Sequence, residues 1–399
     1  MKEKVITRRQ PLVRVACLAF LVLMCTVLFT AYLGQAEPYI AAREGLKCAF
    51  CHVNKTGGGK RTSAFNMISK NFLHYRFDFL EQVDEEAQEL TKGPFLERVS
   101  IGANFRFANV TTFRDDPDKQ GRVQEDQVFR DVDSNDFETL EGVGYLQVDL
   151  IKDVLTFYVD ESFAPGGTSN REVFGLFAGF LPWNSYIKVG KFFPNYGLTI
   201  QDDEAFIRST TGFNFNNEDE GVEIGIAPGG LFLAASVTNG TDTTGDGTQK
   251  QYLVNAYYLF HSVPVLRNVM LGGSFAYNDP ADRTLGGLYF AANIWRFTVL
   301  AEGDLIREES TGSENIDQLA VYSEVNWLLL DWLNLKFAYD YFDPDLDVDE
   351  NERNRFSLGL EPFLAKNLQL RLFYRVSNDV PERPTGNFAE LQAEMHIFF

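Results

Sequence analysis

Residues 48–52 read Cys-Ala-Phe-Cys-His. Two thiols separated by two residues can each form a thioether with one vinyl group of a haem. The next residue, His52, then comes under the iron as an axial nitrogen ligand, so the spacing is that of c-type haem attachment. A redox dithiol or half of a zinc site would share the Cys pair. Zinc asks for more Cys or His ligands close by, and only His74 is near. The expectation is one covalent haem c, held by Cys48 and Cys51, with His52 as the proximal iron ligand.

The second axial ligand has few candidates. Beyond residue 36 the chain offers Met67, Met270, Met395, His74, His261 and His396 besides His52. His74 and Met67 lie in the same short region as the motif, and the run Gly57-Gly58-Gly59 permits the chain to turn back over a haem. His74 is the expected ligand and Met67 the alternative. Either residue could equally be packing in a small core. His261 and His396 fall at strand ends and share inward faces by alternation, so a haem seated at that mouth could meet them.

The motif follows an export signal. Lys2, Lys4, Arg8, Arg9 and Arg14 precede an apolar run from Val15 to Leu33, and Gly34-Gln35-Ala36 supplies small residues for signal peptidase. Residues 1–36 are expected to be a signal peptide cleaved after Ala36, the other reading being an uncleaved membrane helix. Cys17 and Cys25 leave with it, so only Cys48 and Cys51 remain, too close together for a disulfide framework. The whole chain carries a formal charge of −20, and the segment removed holds five basic residues against one acidic. A balance this acidic excludes a nucleic-acid partner, which needs a basic face for phosphate.

Residues 37–96 form the expected haem domain, and 97–399 repeat a different pattern. Segments of about ten residues alternate apolar and polar between turns, the signature of transmembrane β-strands. In 367–377, Leu368, Leu370, Leu372, Tyr374 and Val376 share one face, and Gln369, Arg371, Phe373 and Arg375 the other. Sixteen such segments run over 98–109, 137–150, 152–163, 171–181, 184–192, 220–228, 230–239, 250–261, 267–278, 283–293, 295–306, 316–328, 331–342, 353–362, 366–377 and 386–399. Connections after even-numbered segments are short, whereas 110–136 and 193–219 are long. Outer-membrane barrels have short periplasmic turns and long outer loops. The expected fold is all-β, an antiparallel transmembrane barrel of about 16 strands preceded by the haem domain, with both termini periplasmic. A soluble β-sandwich would alternate too, but would not require 36 Phe and 16 Tyr.

Two acidic loops invite a metal. Asp343, Asp345, Asp347 and Asp349 alternate, but Val348 stands where an EF-hand needs glycine. Asp115, Asp116, Asp118, Glu125, Asp126, Asp131, Asp133 and Asp136 crowd the first long connection. Charge runs of this kind are usually solvated loops, and a weak cation-attracting rim is the other reading.

Cys48, Cys51 and His52, preceded by Arg43 and Gly45 and set between a signal peptide and a porin-like region, resemble the fused cytochrome-porins of bacterial outer membranes. These include the monohaem outer-membrane cytochromes of iron-oxidising bacteria. The resemblance in architecture covers the whole chain, while the motif match is narrow. After the motif the chain reads Val53-Asn54-Lys55-Thr56-Gly57-Gly58-Gly59-Lys60-Arg61, which departs from the family's pattern there. The stretch from Gly190 to Leu198 looks like a motif of porins, and its Gly and Pro would let a long loop return into the lumen. The resemblance implies electron transfer across the outer membrane between a periplasmic carrier, such as a cytochrome, and an extracellular donor or acceptor, such as a metal ion or mineral. Outer-membrane lipid would surround the barrel. Two other functions compete: a diffusion porin whose haem domain plugs or gates it, and a haem enzyme with an open iron site, for which no distal catalytic pair is visible.

Overall fold

The computed structural model describes residues 37–62, 98–114, 131–202, 205–213, 217–240, 249–309, 315–365, 367–378 and 387–398. The expected signal peptide, Met67 and His74 lie outside the described residues.

Sixteen strands run β1 Val99–Arg114, β2 Asp131–Ile151, β3 Leu155–Ala164, β4 Ser169–Ala178, β5 Tyr186–Phe192, β6 Asp219–Ile226, β7 Leu231–Thr238 and β8 Gln251–His261, then β9 Asn268–Asn278, β10 Arg283–Ile294, β11 Phe297–Glu308, β12 Ile316–Leu330, β13 Leu333–Asp343, β14 Arg353–Ala365, β15 Leu368–Asn378 and β16 Phe388–Phe398. Every strand pairs antiparallel with its chain neighbours, and β1 closes on β16 in a register that sets Arg106 opposite His396. Closure leaves no strand edge exposed, which a bilayer demands because it cannot solvate free N–H and C=O groups.

The burial is inverted relative to a soluble protein. In β15, Gln369, Arg371, Arg375 and Ser377 are buried while Leu372 and Tyr374 are exposed. Across the barrel, Lys188, Asp340, Glu361 and Gln369 are fully buried, whereas Leu288 is 77% exposed and Phe356 54%. Apolar side chains outside and hydrogen-bonded charges inside mark a wall meant for lipid. Trp183 and Trp295, at the end that carries the short connections, are exposed in the position of an interfacial aromatic belt.

The connections are asymmetric. One end carries 152–154, 295–296 and 331–332, and the other 115–130, 193–218 and 239–250. β1 and β2 run further toward the long-loop end than expected, with 16 and 21 residues. There the acidic residues of the first connection are partly strand: Asp133 pairs with Arg114 at 3.2 Å. By contrast β3 to β7 have only seven to ten residues each, so the wall is low in that sector.

Candidate functional site

Residues 37–62 lie inside the barrel. Tyr39, Ile40, Ala42, Cys51 and Val53 share one apolar core with inward wall residues such as Tyr158, Phe174 and Tyr257. The segment opens with helix α1 (Pro38–Glu44), where Pro38 suits the first turn. Gly45 ends it in a left-handed conformation, φ 69°. A side chain there would be strained by that φ, and its Cβ would stand 2.6 Å from Asn268 Oδ1 on the wall unless the amide shifted.

Polar ties fix the segment on several sides. The Glu37 carboxylate meets Lys336 at 3.3 Å and accepts from Gln369 at 3.1 Å. Burial alone would raise the Glu37 pKa, but Lys336 and Arg371 outweigh it and hold the carboxyl below its ordinary value. Asn268 Nδ2 donates to the Arg43 carbonyl at 2.8 Å, and Lys47 Nζ to the Ala227 and Leu231 carbonyls. Lys188, fully buried, pairs with Glu223 at 2.9 Å and donates to Asn54 Oδ1 and Thr56 Oγ1 at 3.1 and 3.3 Å. Charges sunk in a wall survive only when paired in this way.

The one-turn helix α2 (Cys48–Cys51) presents the thiols, and its last N–H bond runs from His52 to the Cys48 carbonyl at 2.9 Å. The chain then makes a small loop closed by a bridge between His52 and Arg61 and by the Val53 N–H to the Lys60 carbonyl. Gly59 sits at φ 60°, and a Cβ there would lie 2.2 Å from the Tyr158 hydroxyl. This glycine lets the loop press against β3, where Lys60 N–H donates to that hydroxyl at 2.9 Å. The Gly59 carbonyl in turn accepts from His52 Nδ1 at 3.3 Å. A proton on Nδ1 leaves Nε2 as the nitrogen with the lone pair, the form in which an imidazole binds metal. Burial pushes the Cys51 thiol up to about 12 and the Cys48 thiol up to about 11.

These groups line a cavity of about 400 Å³ in the lumen. Its lining is divided. Arg61, Arg106 and Arg171 stand on the side of β1 and β4, and Phe232, Leu259 and Met270 on the opposite side, from β7, β8 and β9. A haem is an apolar disc with two carboxylates on one edge. Two thiols, an oriented imidazole, three guanidiniums and an apolar wall fit that amphipathic shape, and the volume lies in the range of small-ligand sites. The guanidiniums also balance wall carboxylates: Arg106 binds Glu394 at 2.9 Å, and Arg171 binds Glu141.

In the long connection after β5, residues 193–202 and 205–213 fold inward and part of them lines the cavity, as its Gly and Pro suggested. Its helix α3 (Phe206–Thr211) packs on β11, β12 and β13. Tyr196 hydroxyl donates to Asp304 at 3.0 Å, Gly197 N–H to Ser274, Leu198 N–H to Glu302, and Arg208 pairs with Glu302 at 2.7 Å. Asn195 and Leu198 from this loop line the cavity.

Other candidates are placed elsewhere. His396 Nε2 contacts Asn104 Oδ1 at 2.5 Å and His261 Nδ1 contacts Asn268 Oδ1 at 3.4 Å; neither lines the cavity. In the loop after β13, Asp343 and Asp345 accept backbone N–H groups of Asp345 and Asp347, so they serve the turn itself. Among the described residues no group of three or more His, Cys, Asp or Glu comes together as a metal site. Arg106 and Arg171 had no mark in the sequence beyond their inward parity, Arg61 none beyond its place shortly after the motif, and Met270 stood among the six candidate iron ligands but far from the motif in sequence.

No protein-family model matches the chain, and no curated protein matches it significantly. Solved structures do. An anion-selective porin from Comamonas acidovorans superposes with a TM-score of 0.54 at 11% identity, over 75% of this chain and 99% of that one. The outer-membrane protein OmpT of Vibrio cholerae and the outer-membrane channel DcaP of Acinetobacter baumannii each give 0.51 at 11% identity, over 75% of this chain and 97% of theirs. The fold is therefore that of the 16-stranded outer-membrane porins.

Proposed function

We propose that the chain is an outer-membrane protein in which a porin-like barrel encloses a haem-bearing amino-terminal segment and passes electrons across the membrane. The observation that carries this reading is that Cys48, Cys51 and His52 line one cavity of about 400 Å³ inside the barrel, with arginines on one side and apolar wall residues on the other. Residues 1–36 would be the signal peptide, 37–96 the haem-bearing segment and 97–399 the barrel. The short-connection end, where β1 starts, would face the periplasm.

Cys48 and Cys51 would hold the group by thioethers, and His52 Nε2 would ligate its iron. Bound there, a haem c supplies reversible one-electron chemistry. The Gly59 carbonyl orients the imidazole, the arginines would neutralise carboxylates of a bound haem, and Phe232, Leu259 and the inward loop would give it apolar surroundings. The cavity also reaches Ala164, Pro165 and Ser169 at the β3–β4 connection, on the long-loop end. That position suits exchange between a periplasmic cytochrome on one side and an extracellular donor or acceptor, such as a metal ion or mineral, on the other.

The fold favours a second reading, a diffusion porin whose amino-terminal segment plugs or gates the channel. Haem staining of a denaturing gel, combined with reduction of external ferric chelate by protein in liposomes loaded with reductant, separates the two. Electron transfer requires stain and reduction in the wild type and neither in the double variant Cys48→Ala, Cys51→Ala. Solute flux through wild-type protein with no covalent haem would establish the porin instead.

A further inference from the structure

We propose that Met270, on the barrel wall, is the second axial ligand of the haem iron; this rests on the haem reading above. An iron in a haem takes its two axial ligands from opposite faces, so the second ligand must come from the side of the cavity away from His52. His52 belongs to the side of β16, β1 and β3. Its loop is fastened there by Lys60 to Tyr158 on β3 and by Arg61, whose guanidinium lies 4.9 Å from the ring centre of Phe398 on β16. In a closed barrel of sixteen strands, β9 is diametrically opposite β1. Met270 is the third residue of β9, points inward with Asn268 and Ser274, and lines the same cavity as Cys48, Cys51 and His52.

Chemistry narrows the choice further. Among the described lining residues, Met270 is the one thioether, and no imidazole other than His52 is present. The lining phenols are poorer candidates: Tyr289 donates its hydroxyl to Asn255, the Tyr257 hydroxyl hydrogen-bonds Cys48, and Tyr145 stands on β2, on the same side as His52. The surroundings suit a thioether, since Leu259 and Ala291, the register partners of Met270, are apolar. A methionine in such a place could also simply fill a gap in the core, and the test must separate the two roles. The assignment replaces the expectation of His74 or Met67, which was based on nearness in sequence; a barrel-wall ligand is near only after folding.

The test is the optical spectrum of the ferric full-length protein. The wild type should show low-spin iron with the thioether-to-iron charge-transfer band. In Met270→Ala that band should be lost and the iron should become high-spin, with covalent haem retained on a denaturing gel. Met270→His should restore low-spin iron without the band and at a lower potential, because thioether ligation favours ferrous iron. A gap-filling residue would leave the band in place. Met67→Ala should keep the band, and so should His74→Ala. A wild type with covalent haem but no such band, or one whose band survives Met270→Ala, overturns the assignment and leaves the haem reading standing. Absence of covalent haem overturns both.

Discussion

Replacing Lys188 by methionine should loosen the amino-terminal segment more than it harms any other feature. Lys188 and Glu223 are both fully buried, 2.9 Å apart. At an effective dielectric near 20, charges at that distance attract by roughly 6 kcal/mol, most of it offsetting desolvation. Removing the cation alone strands the carboxylate, with Tyr186 hydroxyl at 2.9 Å as its remaining donor. Breaking a buried pair in this way costs about 3–5 kcal/mol. The segment loses its own share, the two charge-assisted bonds to Asn54 and Thr56. At about 1.5 kcal/mol each, the lower end for a charged donor, together these contribute about 3 kcal/mol net. At 1.4 kcal/mol per tenfold, that is roughly a 140-fold shift toward release of residues 37–62. Methionine is close to lysine in length, so little volume is lost, while the ammonium's contacts with the Phe174 and Phe192 rings, at 5.5 and 4.4 Å, go with the charge. Urea unfolding in lipid vesicles reads the barrel, and ion conductance in planar bilayers reads the plug. The single variant should unfold at lower urea and conduct more often. The double variant Lys188→Met, Glu223→Gln, which leaves no stranded charge, should regain most of the urea resistance while still conducting. Wild-type conductance in the single variant, or no recovery in the double, would refute the electrostatic account.

Gly59→Ala forces a left-handed residue and drives a methyl group into the Tyr158 hydroxyl. Strain of about 1–3 kcal/mol should displace the carbonyl that orients His52, so covalent haem should be kept on a denaturing gel while the haem spectrum and potential of the folded protein shift from wild type; an unchanged spectrum would show that the loop tolerates the change. In protein made without haem attachment, Cys51, with its thiol raised by burial to about 12, should be alkylated at pH 8 on the order of 10³-fold more slowly than a free thiol. Because the folded state favours the neutral thiol, that contribution to stability is present below pH 9 and disappears as pH rises toward 12; rapid alkylation at pH 8 would contradict the burial. A tag inserted at Asp347 should bind antibody on intact cells and one at Gly229 should not, and the opposite result would invert the barrel.

The strands were legible because lipid imposes a strict two-residue period on each of them, and all sixteen expected segments have their counterparts. The ends of β1 and β2 were missed for the same reason. Thr111, Thr112, Asp133 and Asn135 put polar residues on both faces there, and the alternation that marked the strand breaks down. The Cys-Ala-Phe-Cys-His motif was legible as chemistry, but its seat was not. Nothing local says that Glu37 meets Lys336 or that Asn54 meets Lys188, since each pair joins positions brought together only when the barrel closes around the segment. Arg106, Arg171 and Met270 carry correct inward parity, yet parity says which face a residue takes and nothing about what it will face across the lumen.

The enclosure of residues 37–62 also imposes a sequence of events in time. Once β1 has zipped to β16, Cys51 is 3% exposed and lies within a continuous wall. An enzyme that has to join both thiols to a haem would then find Cys51 out of reach. A haem carried here has to be joined to the chain while the barrel is still an unpaired string of strands in the periplasm. On the haem reading, insertion into the membrane would wrap those strands around a segment already loaded, and the closing seam would act as a one-way latch.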